Sequence, residues 1–89
     1  MHADRLRPSP AVRASISTDG LVLLDASGGF VWSSNQVGAR IWQLIEQRRS
    51  GAEIALQLAG DYGIAHERAR GDVAAFVAAL VERGLLVQD

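Results

Sequence analysis

The apolar residues of this chain change their spacing near residue 34, and that change restricts the fold more than any other feature. Before it, Val12, Ala14 and Ile16 alternate with Arg13, Ser15 and Ser17, the period of two expected of a half-buried strand. Asp19-Gly20 then supplies a hairpin turn, because glycine takes positive φ without steric cost. Leu21 to Asp25 reads as a second, more apolar strand, and Ser27-Gly28-Gly29 as another turn. Phe30-Val31-Trp32-Ser33 is a short third strand, rich in aromatic and β-branched residues. The three predict an antiparallel meander, which needs a covering layer because a small bare sheet is marginal in water.

Beyond residue 34 the spacing is helical. A first helix from about Gln36 to Gln47 can be capped by Ser34 or Asn35, and puts Val37, Ile41, Trp42, Leu44 and Ile45 on one face. Ser50-Gly51-Ala52-Glu53 is a capping box that opens a second helix, with Ile54, Ala55 and Leu58 apolar and an end near Asp61, before Gly63. A third helix from about His66 to Arg83 carries Val73, Phe76, Val77, Leu80 and Val81, and Gly84 stops it. Its start lacks a side-chain cap, since Ala65 stands where Ser or Asp would help. Leu85, Leu86 and Val87 then return over the core. The order β-β-β-α-α-α, with short connections, predicts an α+β, winged-helix-like domain over residues 11–89. Residues 1–10 are polar with two prolines and read as an irregular N-terminal arm.

A length of 89 residues allows one domain, and folding at this size removes about 60–65% of the chain's surface from water. Nine basic residues, all Arg, face ten acidic ones, for a net charge of −1. That balance argues against a general nucleic-acid binder, which needs clustered positive charge to displace counterions. Cysteine is absent, which excludes disulfides, thiolate metal sites and a Cys nucleophile and fits a cytoplasmic protein. Arg5, Arg7 and Arg13 interrupt the start of the chain, so no signal-peptide core is visible. No apolar run approaches the ~20 residues that span a bilayer.

Catalytic constellations are missing from the pattern. His2 and His66 make no spaced pair, no phosphate-binding glycine loop ends in Lys, and Glu46, Glu53, Glu67, Asp72 and Glu82 sit at spacings of exposed helix faces. The chain is therefore expected to be no enzyme and to hold no cofactor or metal. Arg68 and Asp72, at i and i+4, either form a pair that supports the helix by ~0.3 kcal/mol or project toward a bound chain. The third strand carries the stronger hint. Its edge lacks the Lys, Pro or bulge that protects exposed edges from pairing. Phe30 and Trp32 share one face and Val31 the other, so the aromatic pair is either core or the floor of a site for an added strand. Ala75 and Ala79 on the third helix are small enough to leave such a groove open.

Three stretches together resemble a known family. They are Asp19-Gly20-Leu21-Val22-Leu23-Leu24-Asp25 with Ser27-Gly28-Gly29-Phe30-Val31-Trp32, then Asn35-Gln36-Val37-Gly38-Ala39-Arg40-Ile41-Trp42, and last Glu67 to Val73 with Phe76 and Leu80-Val81-Glu82-Arg83-Gly84-Leu85-Leu86. This ordered set, over residues 12 to 87, is similar to the PqqD-like proteins. These are also called RiPP recognition elements, the leader-binding domains of ribosomal peptide natural-product pathways.

The resemblance implies three strands and three helices, with a leader peptide added beside the third strand. Phe30, Val31, Trp32 and Ser33 would pair with the peptide or line its pockets. Arg68, Asp72, Ala75, Phe76 and Ala79 would form the opposite wall. Members that make the quinone cofactor PQQ tend to have a Pro-Glu-Gly turn where this chain has Asp25-Ala26-Ser27-Gly28-Gly29, and a Cys in the first helix. The chain looks more like the stand-alone recognition proteins of lasso-peptide clusters, where the leader is handed to a cysteine peptidase. Gln36 stands where Pro is common, and Ala65-His66 replaces Asp-Pro or Ser-Pro.

The implied partners are a precursor leader peptide and a leader peptidase or other modifying enzyme, with no nucleic acid and no membrane, in a monomer or weak homodimer. Three other readings remain. One is a PqqD-type peptide chaperone in PQQ cofactor biosynthesis. Another is a winged-helix DNA-binding protein, although Asp72 and Glu82 oppose Arg68, Arg70 and Arg83 on the third helix. The last is a structural protein that dimerises through its strand edges.

Overall fold

Eight elements follow one another along the chain in a computed structural model that describes residues 5–88. They are β1 Leu6–Pro8, β2 Val12–Ser17, β3 Gly20–Asp25, β4 Phe30–Ser34, α1 Gln36–Glu46, α2 Gly51–Tyr62, α3 His66–Glu82 and β5 Leu86–Gln88. The turns at Asp19-Gly20 and Ser27-Gly28-Gly29 fold β2, β3 and β4 into the expected antiparallel meander, and the three helices follow it. The domain is thus α+β, with one sheet face covered by helices.

Local chemistry fixes where the helices start. The Asn35 side chain accepts the Gly38 N–H at 3.0 Å, which caps α1. Ser50 and Glu53 form the reciprocal capping box at α2, with bonds of 2.9 and 3.1 Å. The Ala65 methyl group has no acceptor to offer, so α3 starts without a side-chain cap. The Gln36 side chain donates to the Thr18 carbonyl and ties the first hairpin turn to the start of α1.

The helical spacing places Ile41, Trp42, Leu44 and Ile45 of α1 in the core with Ile54 and Leu58 of α2 and Val73, Phe76 and Leu80 of α3. Leu21 and Leu23 close the core from the sheet side. The Trp42 indole N–H lies in this core without a hydrogen-bond partner among the described residues.

Two expectations need correction. The strand β2 is not half-buried: Ala14 and Ile16 are exposed, although they share a face with the buried Leu23 and Leu21 opposite them. Helix α1 packs on β3, and the helical layer stops short of the outer strand.

The second correction concerns the N-terminal arm of residues 1–10. Within it Leu6–Pro8 forms β1, which pairs antiparallel with β5 in the register Leu6↔Gln88 and Pro8↔Leu86. Leu6 enters the core, and Ser9 donates its N–H to the Leu85 carbonyl at 3.1 Å and its hydroxyl to the Gly84 carbonyl at 2.6 Å. A proline fits here because an edge strand does not need every N–H. Residues 1–4 and residue 89 lie outside the described residues. No helix among the described residues is long and apolar enough to cross a membrane.

Candidate functional site

The strand order β2-β3-β4 leaves one edge of β4 unpaired among the described residues. Which backbone groups face that edge follows from parity. The Ala26 N–H donates to the Ala11 carbonyl at 3.0 Å, one step beyond the Val12↔Asp25 pair. Antiparallel bonding alternates along a strand, so Val22 and Leu24 turn their N–H and C=O toward β2, and Leu21, Leu23 and Asp25 turn theirs toward β4. Their partners Ser34, Trp32 and Phe30 are engaged with β3. The N–H and C=O groups of Val31 and Ser33 therefore point to the open edge.

Side chains alternate too. Phe30 and Trp32 lie half-buried on the helix side, while Val31 stands 60% exposed on the outer face beside Leu24 and Val22. Val31 thus presents its backbone, and not its side chain, to the open edge. The Trp32 and Phe76 rings meet edge to face, with centroids 5.7 Å apart and planes at 77°. This contact joins β4 to α3. The Arg83 guanidinium lies 5.9 Å from the centre of the Phe30 ring, within cation–π range.

Below the end of β4 lies a cavity of about 330 Å³. Val37, Ile41 and Phe76 give it an apolar floor, Ala75 leaves its helix side low, and Arg68 and Asp72 stand at the rim with Ser34. Gly38 makes the wall possible: a Cβ there would collide with the Ser34 hydroxyl oxygen and sit 3.1 Å from the Phe76 ring. Arg68 Nε and Asp72 Oδ2 are 3.8 Å apart, a loose and largely exposed pair that leaves both groups accessible to an incoming chain.

Four of the nine sequence-derived residues, Arg68, Asp72, Ala75 and Phe76, line this cavity together. Phe30, Val31, Trp32 and Ser33 form the strand above it. Ala79 lies one turn beyond Ala75 on α3 and outside the cavity lining. Sequence reasoning missed Val37, Gly38 and Ile41 on α1, because their helical spacing reads as core. A glycine inside a helix was the signal available, since it costs about 1 kcal/mol against alanine and calls for a packing reason.

A three-stranded meander with a bare edge, joined to a helix that helps wall a cavity at the strand's end, defines a small α+β recognition domain. Residues 20–86 match the family described as coenzyme PQQ synthesis protein D (PqqD), and the match spans β3 through α3. The chain belongs to the PqqD family, among the PqqD-like RiPP recognition elements.

Two solved structures are similar over nearly their whole length. One, "Lasso peptide synthetase B1 complexed with the leader peptide", is 31% identical with a TM-score of 0.85, covering 93% of this chain and 98% of that one. The other, "TbiB1 in Complex with the TbiA(beta) Leader Peptide", is 30% identical with a TM-score of 0.84, covering 90% of this chain and 93% of that one. No curated protein sequence matches the chain.

Proposed function

We propose that this protein binds the leader segment of a ribosomally made precursor peptide as an added strand on β4, and delivers it to a leader peptidase or other modifying enzyme of the same pathway. One observation carries the reading: the N–H and C=O groups of Val31 and Ser33 face an open strand edge, beside the Trp32–Phe76 contact that joins β4 to α3. Strand hydrogen bonds would supply affinity, and the cavity beside Phe76 would read a side chain of the peptide. The role is binding and not catalysis, because backbone edges, aromatic rings and a loose Arg–Asp pair are recognition chemistry. A lasso-type precursor is favoured, since both similar solved structures are described with leader peptides and one is a lasso peptide synthetase component. Precursors of this kind are made in the cytoplasm, where the protein would act.

The family match supports a second reading, a PqqD-type chaperone for the PQQ precursor peptide.

Fluorescence polarisation with labelled leader peptides encoded beside the gene tests both. The expected result is saturable binding in the nanomolar to micromolar range, about −8 to −12 kcal/mol, that survives added salt. A scrambled leader should not bind. A PQQ precursor peptide that binds more tightly than any neighbouring leader would establish the second reading. No binding of any leader well above micromolar concentration would overturn both.

A further inference from the structure

Each helix ends in a residue with left-handed backbone. After α2 and α3 it is glycine, Gly63 at φ 62° and Gly84 at φ 75°; after α1 it is Arg48 at φ 66°. Among the described residues Arg48 is the one non-glycine with positive φ. The geometry is a Schellman motif, with Arg48 N–H bonded to the Ile45 carbonyl at 2.9 Å and Arg49 N–H to the Leu44 carbonyl at 3.1 Å. Glycine fits that position without strain, and a side chain does not. The chain therefore tolerates strain at the one helix end where it keeps a guanidinium.

That guanidinium belongs to a cluster. Arg5, Arg7, Arg48 and Arg49 line a cavity of about 440 Å³ with Ser50 and Glu53. Among the described residues Glu53 is the single carboxylate of that lining, and it accepts the Ser50 N–H at 2.9 Å. Among the described residues no carboxylate pairs with Arg5, Arg48 or Arg49, whereas Arg40 meets Asp61 at 3.0 Å and Arg68 meets Asp72 at 3.8 Å. Three arginines that meet no carboxylate among the described residues, Arg5, Arg48 and Arg49, thus gather at one place beside Arg7, in a chain of net charge −1. The place is remote from the groove. The first turns of α1 line the groove, its far end leads to Arg48, and 11 residues rise roughly 16 Å between them.

We infer that this cluster is a docking surface for an acidic segment of a second protein, a run of Asp and Glu side chains, engaged while the groove holds its peptide. Guanidinium forks match carboxylates bidentately, and a cavity of this size accepts a few such side chains. A nucleic-acid backbone would call for a longer basic track than four residues beside a glutamate.

The test titrates the full chain with fluorescein-labelled hexaglutamate, in parallel with a short DNA duplex and a leader peptide. Expected are saturable hexaglutamate binding that weakens with salt, and a loss of about three- to fivefold in affinity for Arg48→Gly, with a like loss for Arg49→Ala. Arg48→Gly should also raise the melting temperature by about 4 °C, because it relieves strain. Leader binding should not change in either variant, which keeps this test separate from the reading of the groove. Absence of hexaglutamate binding, tighter binding of the duplex, or an Arg48→Gly protein that melts lower or binds hexaglutamate as well as the parent would overturn the inference.

Discussion

The Trp32 indole meets the Phe76 ring edge to face at 5.7 Å, and this contact sets how far β4 stands from α3. Trp32 is half-buried, so under the proposed strand addition its loss should cost binding more than folding. Trp32→Ala should remove about 1 kcal/mol of aromatic pairing and weaken leader binding by about tenfold or more. Trp32→Phe, which keeps a ring, should recover most of the binding. Equal leader affinity for the alanine variant and the parent would dismiss the prop.

Backbone parity makes a sharper claim. Proline at Val31 or Ser33 removes a donor that faces the open edge, whereas proline at Trp32 removes one bonded to β3. The first two variants should stay folded and lose leader binding. The third should lose its sheet. Circular dichroism with the peptide titration separates them, and unchanged binding by both edge variants would rule out strand addition.

Gly38 sits where a methyl group has no room. Alanine is the better helix former by about 1 kcal/mol, yet overpacking against Ser34 and Phe76 should cost about 1–3 kcal/mol and narrow the cavity. Gly38→Ala should therefore lower thermal stability and leader affinity together. Adding Ser34→Gly should restore part of both, a rescue that a propensity effect alone would not show.

Leu6 belongs to the core. Leu6→Ala should destabilise the protein by about 2–3 kcal/mol, measured by urea unfolding. Deleting residues 1–10 should cost at least as much, since it also removes the pairing with β5. An unaltered unfolding midpoint in the deletion would mean that β1 contributes nothing.

Acid should reach the second turn in a defined way. The Ser27 hydroxyl and N–H donate to Asp25 Oδ1 at 2.7 and 3.0 Å and hold its carboxyl below the ordinary 3.8, against a smaller opposing effect of burial. A depressed carboxylate pKa means that the turn's support is complete above the ordinary value and is lost as pH falls through the folded one. Carbon-detected NMR titration should place the Asp25 midpoint below 3.8, and Ser27→Ala should move it upward. A midpoint unmoved by that change would assign the shift elsewhere.

The three helices were legible because each carries a full apolar stripe or a cap chemistry, as at Ser50 and Glu53. The bare edge at Phe30 to Ser33 was legible because it lacks Lys and Pro. Alternation at Val12, Ala14 and Ile16 told of a strand but not of its depth, which depends on how far α1 reaches across the sheet. Three residues around Leu6 are too few to show a period, and their partner is Gln88 at the other end of the chain. Val37 and Ile41 carry the same pattern whether they face core or cavity.

The pairing of Leu6 with Gln88 also orders events in time. During synthesis the meander and the first two helices can form on a growing chain, because their contacts are local in sequence. Leu6 has no partner strand until residues 86–88 have left the ribosome, and such a distant closure carries the largest loop-entropy cost in the molecule. β1, made before its partner, is thus completed after the elements between them, like a buckle fastened after the strap has been wound.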